Sequence, residues 1–252
     1  MRHALLPHPD SSRPHVRLGI AWFAVVVVAL ALGNLALAVV YGLAALVAAA
    51  QLPRIRKRAG RRPNAFVAMV GAVASPVALV FASWGLGAAI LCGTAASVTL
   101  ASGSWRKVVS NAGETILCWL PVGLAAASVV AANRIGTGAA VALVVLVSGF
   151  EAGDYLVGVD ARWPWVGTFA GMAAVAVLGF GLAALSIPPF DGTPMLVFAA
   201  VAAVLIPAGQ VMASLLLPVE DALASGLRRL DSLLLAGPAW IVLLWLYPFP
   251  RR

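Results

Sequence analysis

The sequence predicts an all-α, polytopic integral membrane bundle of about nine transmembrane helices. Composition, long uncharged runs and one-sided charge placement all lead there. Sixty-two per cent of the 252 residues are hydrophobic and 10% are charged. A soluble domain averages roughly 45–50% apolar and about 25% charged, so this chain has too little polar surface to face water on all sides.

The elements follow in order. Residues 1–17 read as a Pro-rich cytoplasmic tail, and His3, His8 and His15 within it fit no metal-ligand spacing. Residues 18–252 read as a single transmembrane domain. The uncharged run 18–52 exceeds the roughly 20 residues of one span, and Gly33-Asn34 divides it as a turn signal. The run 64–104 is again long enough for two spans, with a break expected near 83–85. Further spans are expected at 112–132, 135–150, 166–187, 195–217 and 232–247. Cys92 and Cys118 fall inside apolar runs and read as small buried side chains, while Gly171, Gly179 and Gly181 read as helix-packing positions.

Alternating those spans puts fourteen of the seventeen Lys and Arg residues on one side, including six between Arg54 and Arg62. Only Arg134, Arg251 and Arg252 fall on the other. Short cytoplasmic loops retain basic residues, so the N-terminus is expected inside and the C-terminus outside. The Ala-, Val- and Arg-rich composition fits a high-GC genome, and a bacterial inner membrane is the expected location. The +8 net charge is explained by this rule, and it lacks the basic stripe with interleaved aromatics of a nucleic-acid binder. The lipid bilayer is the expected partner.

Acids are rarer than bases. Of nine, six lie in two cytoplasmic segments, 151–165 and 218–232. Carboxylates at span ends are costly unless they are solvated, paired or bound to a cation. Two readings stay open for them: wet loop residues paired with Arg162, Arg228 and Arg229, or a site. Glu114, near the start of a span, reads as an interfacial or Arg-paired residue rather than part of that site.

The segment from Gly226 through Arg228, Arg229, Asp231 and Ser232 to Pro238 resembles the C-terminal signature of the phosphatidate cytidylyltransferases, the CDP-diacylglycerol synthases. Ser214, Asp221, Arg229, Asp231 and Ser232 fall on matching positions. The stretch from Glu151 through Asp154 and Tyr155 to Gly158 is similar to the family's Asp-x-x-Ala-Tyr-x-x-Gly, and Trp165, Gly167 and Gly171 resemble its Lys-Thr-Trp-Glu-Gly segment. Arg228 stands where the family has an Asp, Glu220 where it has a Lys, Leu217-Pro218 where it has Lys-Arg, and Val166 where it has a Glu. The family's Pro-Gly-His-Gly-Gly loop is missing.

The resemblance implies a membrane protein that transfers a cytidylyl group from CTP to phosphatidic acid and releases pyrophosphate. It implies Mg²⁺ held by Glu151, Asp221 and Asp231, since Mg²⁺ prefers carboxylates and substrate phosphates. Asp221, Arg229, Asp231 and Ser232 would be the catalytic positions, with Ser214, Arg228 and Tyr155 binding substrate. Losing the glycine loop and a lysine removes donors from the triphosphate, and losing an aspartate removes a carboxylate, so weak or lost turnover is expected. The alternative is a non-catalytic relative that binds phosphatidic acid or another anionic lipid, or pairs with itself or with another membrane protein.

Overall fold

The computed structural model describes residues 13–81, 105–159, 161–163, 165–190, 192–217 and 224–247. Among these, all regular structure is helical: α1 (Arg13–Leu32), α2 (Asn34–Arg58), α3 (Ala65–Val80), α4 (Trp105–Ile135), α5 (Thr137–Gly158), α6 (Trp165–Ala184), α7 (Thr193–Leu216) and α8 (Leu233–Leu246). A 3-10 turn, Leu227–Arg229, precedes α8. Helix α2, the 110–135 part of α4, and α5 to α7 are long and apolar enough to cross a bilayer, whereas α3, α8 and the 19–32 part of α1 are shorter apolar stretches. Several apolar helices of this kind fit a multi-pass membrane protein.

The first long run breaks at Gly33, whose φ of 96° lies in the region where only glycine is unstrained. Helix α3 starts on Asn64, whose side chain accepts from the Val67 amide at 3.2 Å, satisfying one orphan N–H of the first turn. It stops at Val80; the break expected near 83–85 and the second span of that run lie outside the described residues, as does Cys92. Cys118 is fully buried.

One boundary differs in a way that matters. The span expected at 135–150 continues as α5 to Gly158, so Glu151 and Asp154 sit on a helix, not in a loop. Glu151 lies about two turns, ~10 Å, inside that end. The helix survives Gly153 because α6 covers it closely: a Cβ there would stand 2.9 Å from the Ala170 carbonyl oxygen. Gly171 and Gly179 are packing positions, facing Phe150 and Ala199 respectively. Gly181 is not, since a Cβ there would meet nothing within 4 Å; it lies on an outward face of α6.

Bilayers give no hydrophobic drive for helix association, so small residues and close approach must hold the bundle. Its core is accordingly rich in alanine, with Ala45, Ala48, Ala49, Ala68, Ala72, Ala125 and Ala126 fully buried. Helices α2 and α4 run antiparallel. Arg56 pairs with Glu114 at one end, and Asn133 Nδ2 donates to Asn34 Oδ1 at 2.7 Å at the other. Helices α3 and α4 run parallel, with the Asn64 amide on Thr115 Oγ1 at 3.0 Å and Arg134 bonded to the Leu79 carbonyl. Helix α8 packs between α4 and α7 and is anchored by Trp240, which stacks edge-on with Phe198 at 4.8 Å and donates to the Ala139 carbonyl at 3.2 Å.

Candidate functional site

Helix α8 begins deep. A Cβ on Gly209 of α7 would lie 2.5 Å from the Asp231 carbonyl oxygen, and Gly209 is itself about two turns, ~10 Å, from the end of α7. The Asp231-Ser232 turn therefore sits sunk between α5 and α7, level with Glu151. Asp231 is 5% exposed and Ser232 1%. Ser232 was expected to open the last span; instead it precedes it, and its hydroxyl caps no backbone amide of α8.

That hydroxyl is occupied elsewhere. Ser232 Oγ lies 3.0 Å from Glu151 Oε1 and 3.3 Å from Asp231 Oδ1, and the Ser232 amide donates to the same Asp231 oxygen at 2.7 Å. A serine has one proton to donate, so the hydroxyl serves one carboxylate at a time. Two acids 80 positions apart in the chain thus face each other across a single oxygen. Burial pushes the Asp231 carboxyl up from 3.8 to about 6, while the Arg228 guanidinium and the bonds from Ser232 pull it back. The charge of Asp154 raises it further.

Arg229 and Glu151 line one cavity of about 20 Å³, closed by Trp22, Phe23 and Val26 of α1, Tyr41 of α2, Ser148 of α5 and Leu233 of α8. A single water needs roughly 10–15 Å³ by the same measure, so the cavity admits a water or an ion and no nucleotide. Arg228 is exposed beside it and Arg229 half-buried.

The arginines owe their place to Gln51 on α2. Its Nε2 donates to Ser225 Oγ at 3.1 Å and its Oε1 accepts from the Gly226 amide at 3.1 Å. Gly226 presses on α2 so closely that a Cβ would stand 2.5 Å from the Ala48 amide nitrogen. One amide side chain thereby pins the segment leading into the 3-10 turn.

Of the residues singled out from sequence, Glu151, Arg229, Asp231 and Ser232 come together, with Arg228 near enough for its charge to act on Asp231. Tyr155 is half-buried and does not line the cavity. Ser214 spends its hydroxyl on the Gln210 carbonyl of its own helix at 3.1 Å. Asp221 lies outside the described residues. Arg162 is exposed. Sequence reasoning missed Gln51, Tyr41, Trp22 and Ser148. Gln51 carried a signal as one of two glutamines in the chain; the others are ordinary members of apolar runs.

Among the described residues no group of three or more His, Cys, Asp or Glu is arranged for a metal ion. Mg²⁺ asks less of a protein, since it binds through one or two carboxylates and keeps waters and substrate phosphates. Glu151, Asp231 and the Ser232 hydroxyl offer oxygen donors only, and among the described residues no base stands within ion-pair distance of either acid. That donor set suits the ion. No family model matches the chain, and no curated protein matches it.

Proposed function

We propose that this chain is a phosphatidate cytidylyltransferase-like protein of a bacterial inner membrane, binding a lipid phosphate at the Glu151–Ser232–Asp231–Arg229 cluster, with cytidylyl transfer weak or lost. The observation that carries this reading is Ser232 Oγ within hydrogen-bond distance of both Glu151 and Asp231, with Arg229 on the same cavity. Carboxylates to hold Mg²⁺ and a guanidinium fork for phosphate are the two parts such a ligand needs. When bound, Mg²⁺ would neutralise phosphate oxygens. Arg229 would orient the phosphate, Gln51 would hold the arginine segment, and Ser232 would set the spacing of the acids. Tyr155, Ser214 and Asp221 keep their proposed places as outer substrate and metal positions.

The proposed topology has nine passes, N-terminus cytoplasmic and C-terminus outside. Parallel α3 and α4 leave the chain at opposite ends of the bundle at Phe81 and Trp105, which supports one return crossing between them. The cluster then faces the cytoplasm with the basic segment 54–62 at the end of α2.

A second reading, a non-catalytic subunit that binds lipid or a membrane-protein partner, draws support from the cavity of about 20 Å³. Radiolabelled CTP incubated with purified protein, Mg²⁺ and phosphatidic acid tests whether any turnover remains. The proposal expects little or no labelled lipid, because losing even one preorganised donor costs about 10²–10³ in rate. Robust product formation abolished by Asp231→Asn would restore full enzyme activity and remove the second reading.

A further inference from the structure

The cavity beside Glu151 and Arg229 has one wall unlike the rest. Helices α2, α5 and α8 are bound into the bundle, but α1 packs chiefly on α2 and only lightly on α5. Trp22, Phe23 and Val26 of α1 close the cavity, while Ile20, Val25, Val27 and Val28 of the same helix are exposed apolar side chains. In a bilayer that outer surface faces lipid. A single peripheral helix thus separates a carboxylate and a guanidinium from the membrane.

The cavity is too small to hold a phosphate ester as it stands, at about 20 Å³, so binding requires a wall to move. The corner of α1 is built for it. Gly33 joins α1 to α2 with φ of 96°, and no atom lies within 4 Å of where its Cβ would be. At the cavity, Trp22 meets Tyr41 edge-on, rings 5.8 Å apart at 77°, a favoured aromatic contact that holds α1 to α2.

We infer that α1 is a lateral gate and that the ligand of this cavity is a membrane-resident phosphate ester. It reaches Arg229 from the bilayer between α1 and α5 when α1 pivots at Gly33. The inference rests on the lipid-phosphate reading of the site. An amphiphile entering this way keeps its acyl chains in hydrocarbon and brings only its headgroup to the polar cluster, so no water-filled passage is needed.

The test uses the full chain in phosphatidylcholine nanodiscs with a photoactivatable phosphatidic acid. Phe23→Cys and Val144→Cys are bridged across the seam by a bis-thiosulfonate linker that reductant removes; each single variant controls for Cys92 and Cys118. Bridging should lower phosphatidic acid labelling by about tenfold or more, because the binding-competent fraction falls, and reduction should restore it. Without any bridge, Trp22→Ala should speed labelling several-fold by weakening the Tyr41 latch. Labelling unchanged by the bridge overturns the gate and spares the site. No labelling in the unbridged protein overturns the site reading along with it.

Discussion

Two polar clusters lie at the same end of the bundle and solve the problem of buried charge in opposite ways. Around Glu114, one acid meets two bases: Arg56 is paired directly and Arg61 Nη1 stands 3.5 Å from Oε1. Thr115 and Asn64 complete the neighbouring bonds. Around Ser232, two acids meet one hydroxyl, and the arginines stay at the cavity wall and at the surface. The first cluster pairs its acid from within and ties α2 to α4. In the second, among the described residues, neither carboxylate has a base within ion-pair distance, and Arg228 acts on Asp231 only through its field. Burial alone does not mark a site; burial without a direct ion pair does.

Breaking the first cluster should have the largest effect. Arg56→Ala leaves Glu114, 11% exposed, without its direct partner, and stripping one member of a buried pair costs roughly 3–5 kcal/mol. The detergent-solubilised protein should lose stability by that order in thermal unfolding, whereas Arg56→Met with Glu114→Leu should recover most of it.

The second cluster should respond with the opposite sign. Asp231 has a folded-state pKa raised from 3.8 to about 6, so in chelator its ionisation opposes folding. Below about pH 4 both folded and unfolded states hold the proton and nothing is lost. Between about 4 and 6 only the unfolded state has released it, so stability falls as pH rises, and the penalty is complete above 6. Asp231→Asn should flatten that slope and stabilise the protein at pH 7 by on the order of 1–3 kcal/mol. A wild-type stability that climbs between pH 4 and 6 through this residue would reverse the assignment.

Gln51→Ala removes two hydrogen bonds to the 225–226 segment and should cost about 1–2 kcal/mol, with weaker phosphate binding through displaced Arg228 and Arg229. Gln51→Glu keeps the acceptor for Gly226 and should retain more of the fold. The smallest effect belongs to Arg162, which is exposed. Arg162→Ala should change stability by no more than about 0.5 kcal/mol, measurable against the same melting curves.

The helical architecture was legible because each part of it has a one-dimensional signature. An uncharged run too long for one span and a Gly-Asn pair locate the α1–α2 corner, and the paired role of Glu114 follows from its place beside a basic loop. The depth of the site was not legible. That Glu151 lies inside a helix depends on α6 approaching Gly153, and that Asp231 is sunk depends on Gly209 giving way on α7; both are properties of pairs of helices. Glu151, Arg229, Asp231 and Ser232 were found through a motif, but their meeting point could not be read from spacing. Trp22, Tyr41 and Ser148 are indistinguishable in sequence from other residues of apolar helices, and only the cavity they share sets them apart.

The most direct test of the unpaired carboxylates is equilibrium binding of short-chain phosphatidic acid to the purified chain, titrated with Mg²⁺. Wild type should bind with an affinity that rises with Mg²⁺, Asp231→Asn should lose that dependence, and the Arg56→Met, Glu114→Leu double variant should keep it. Binding that is indifferent to Mg²⁺ and to Asp231, or that fails equally when either cluster is altered, would contradict the account.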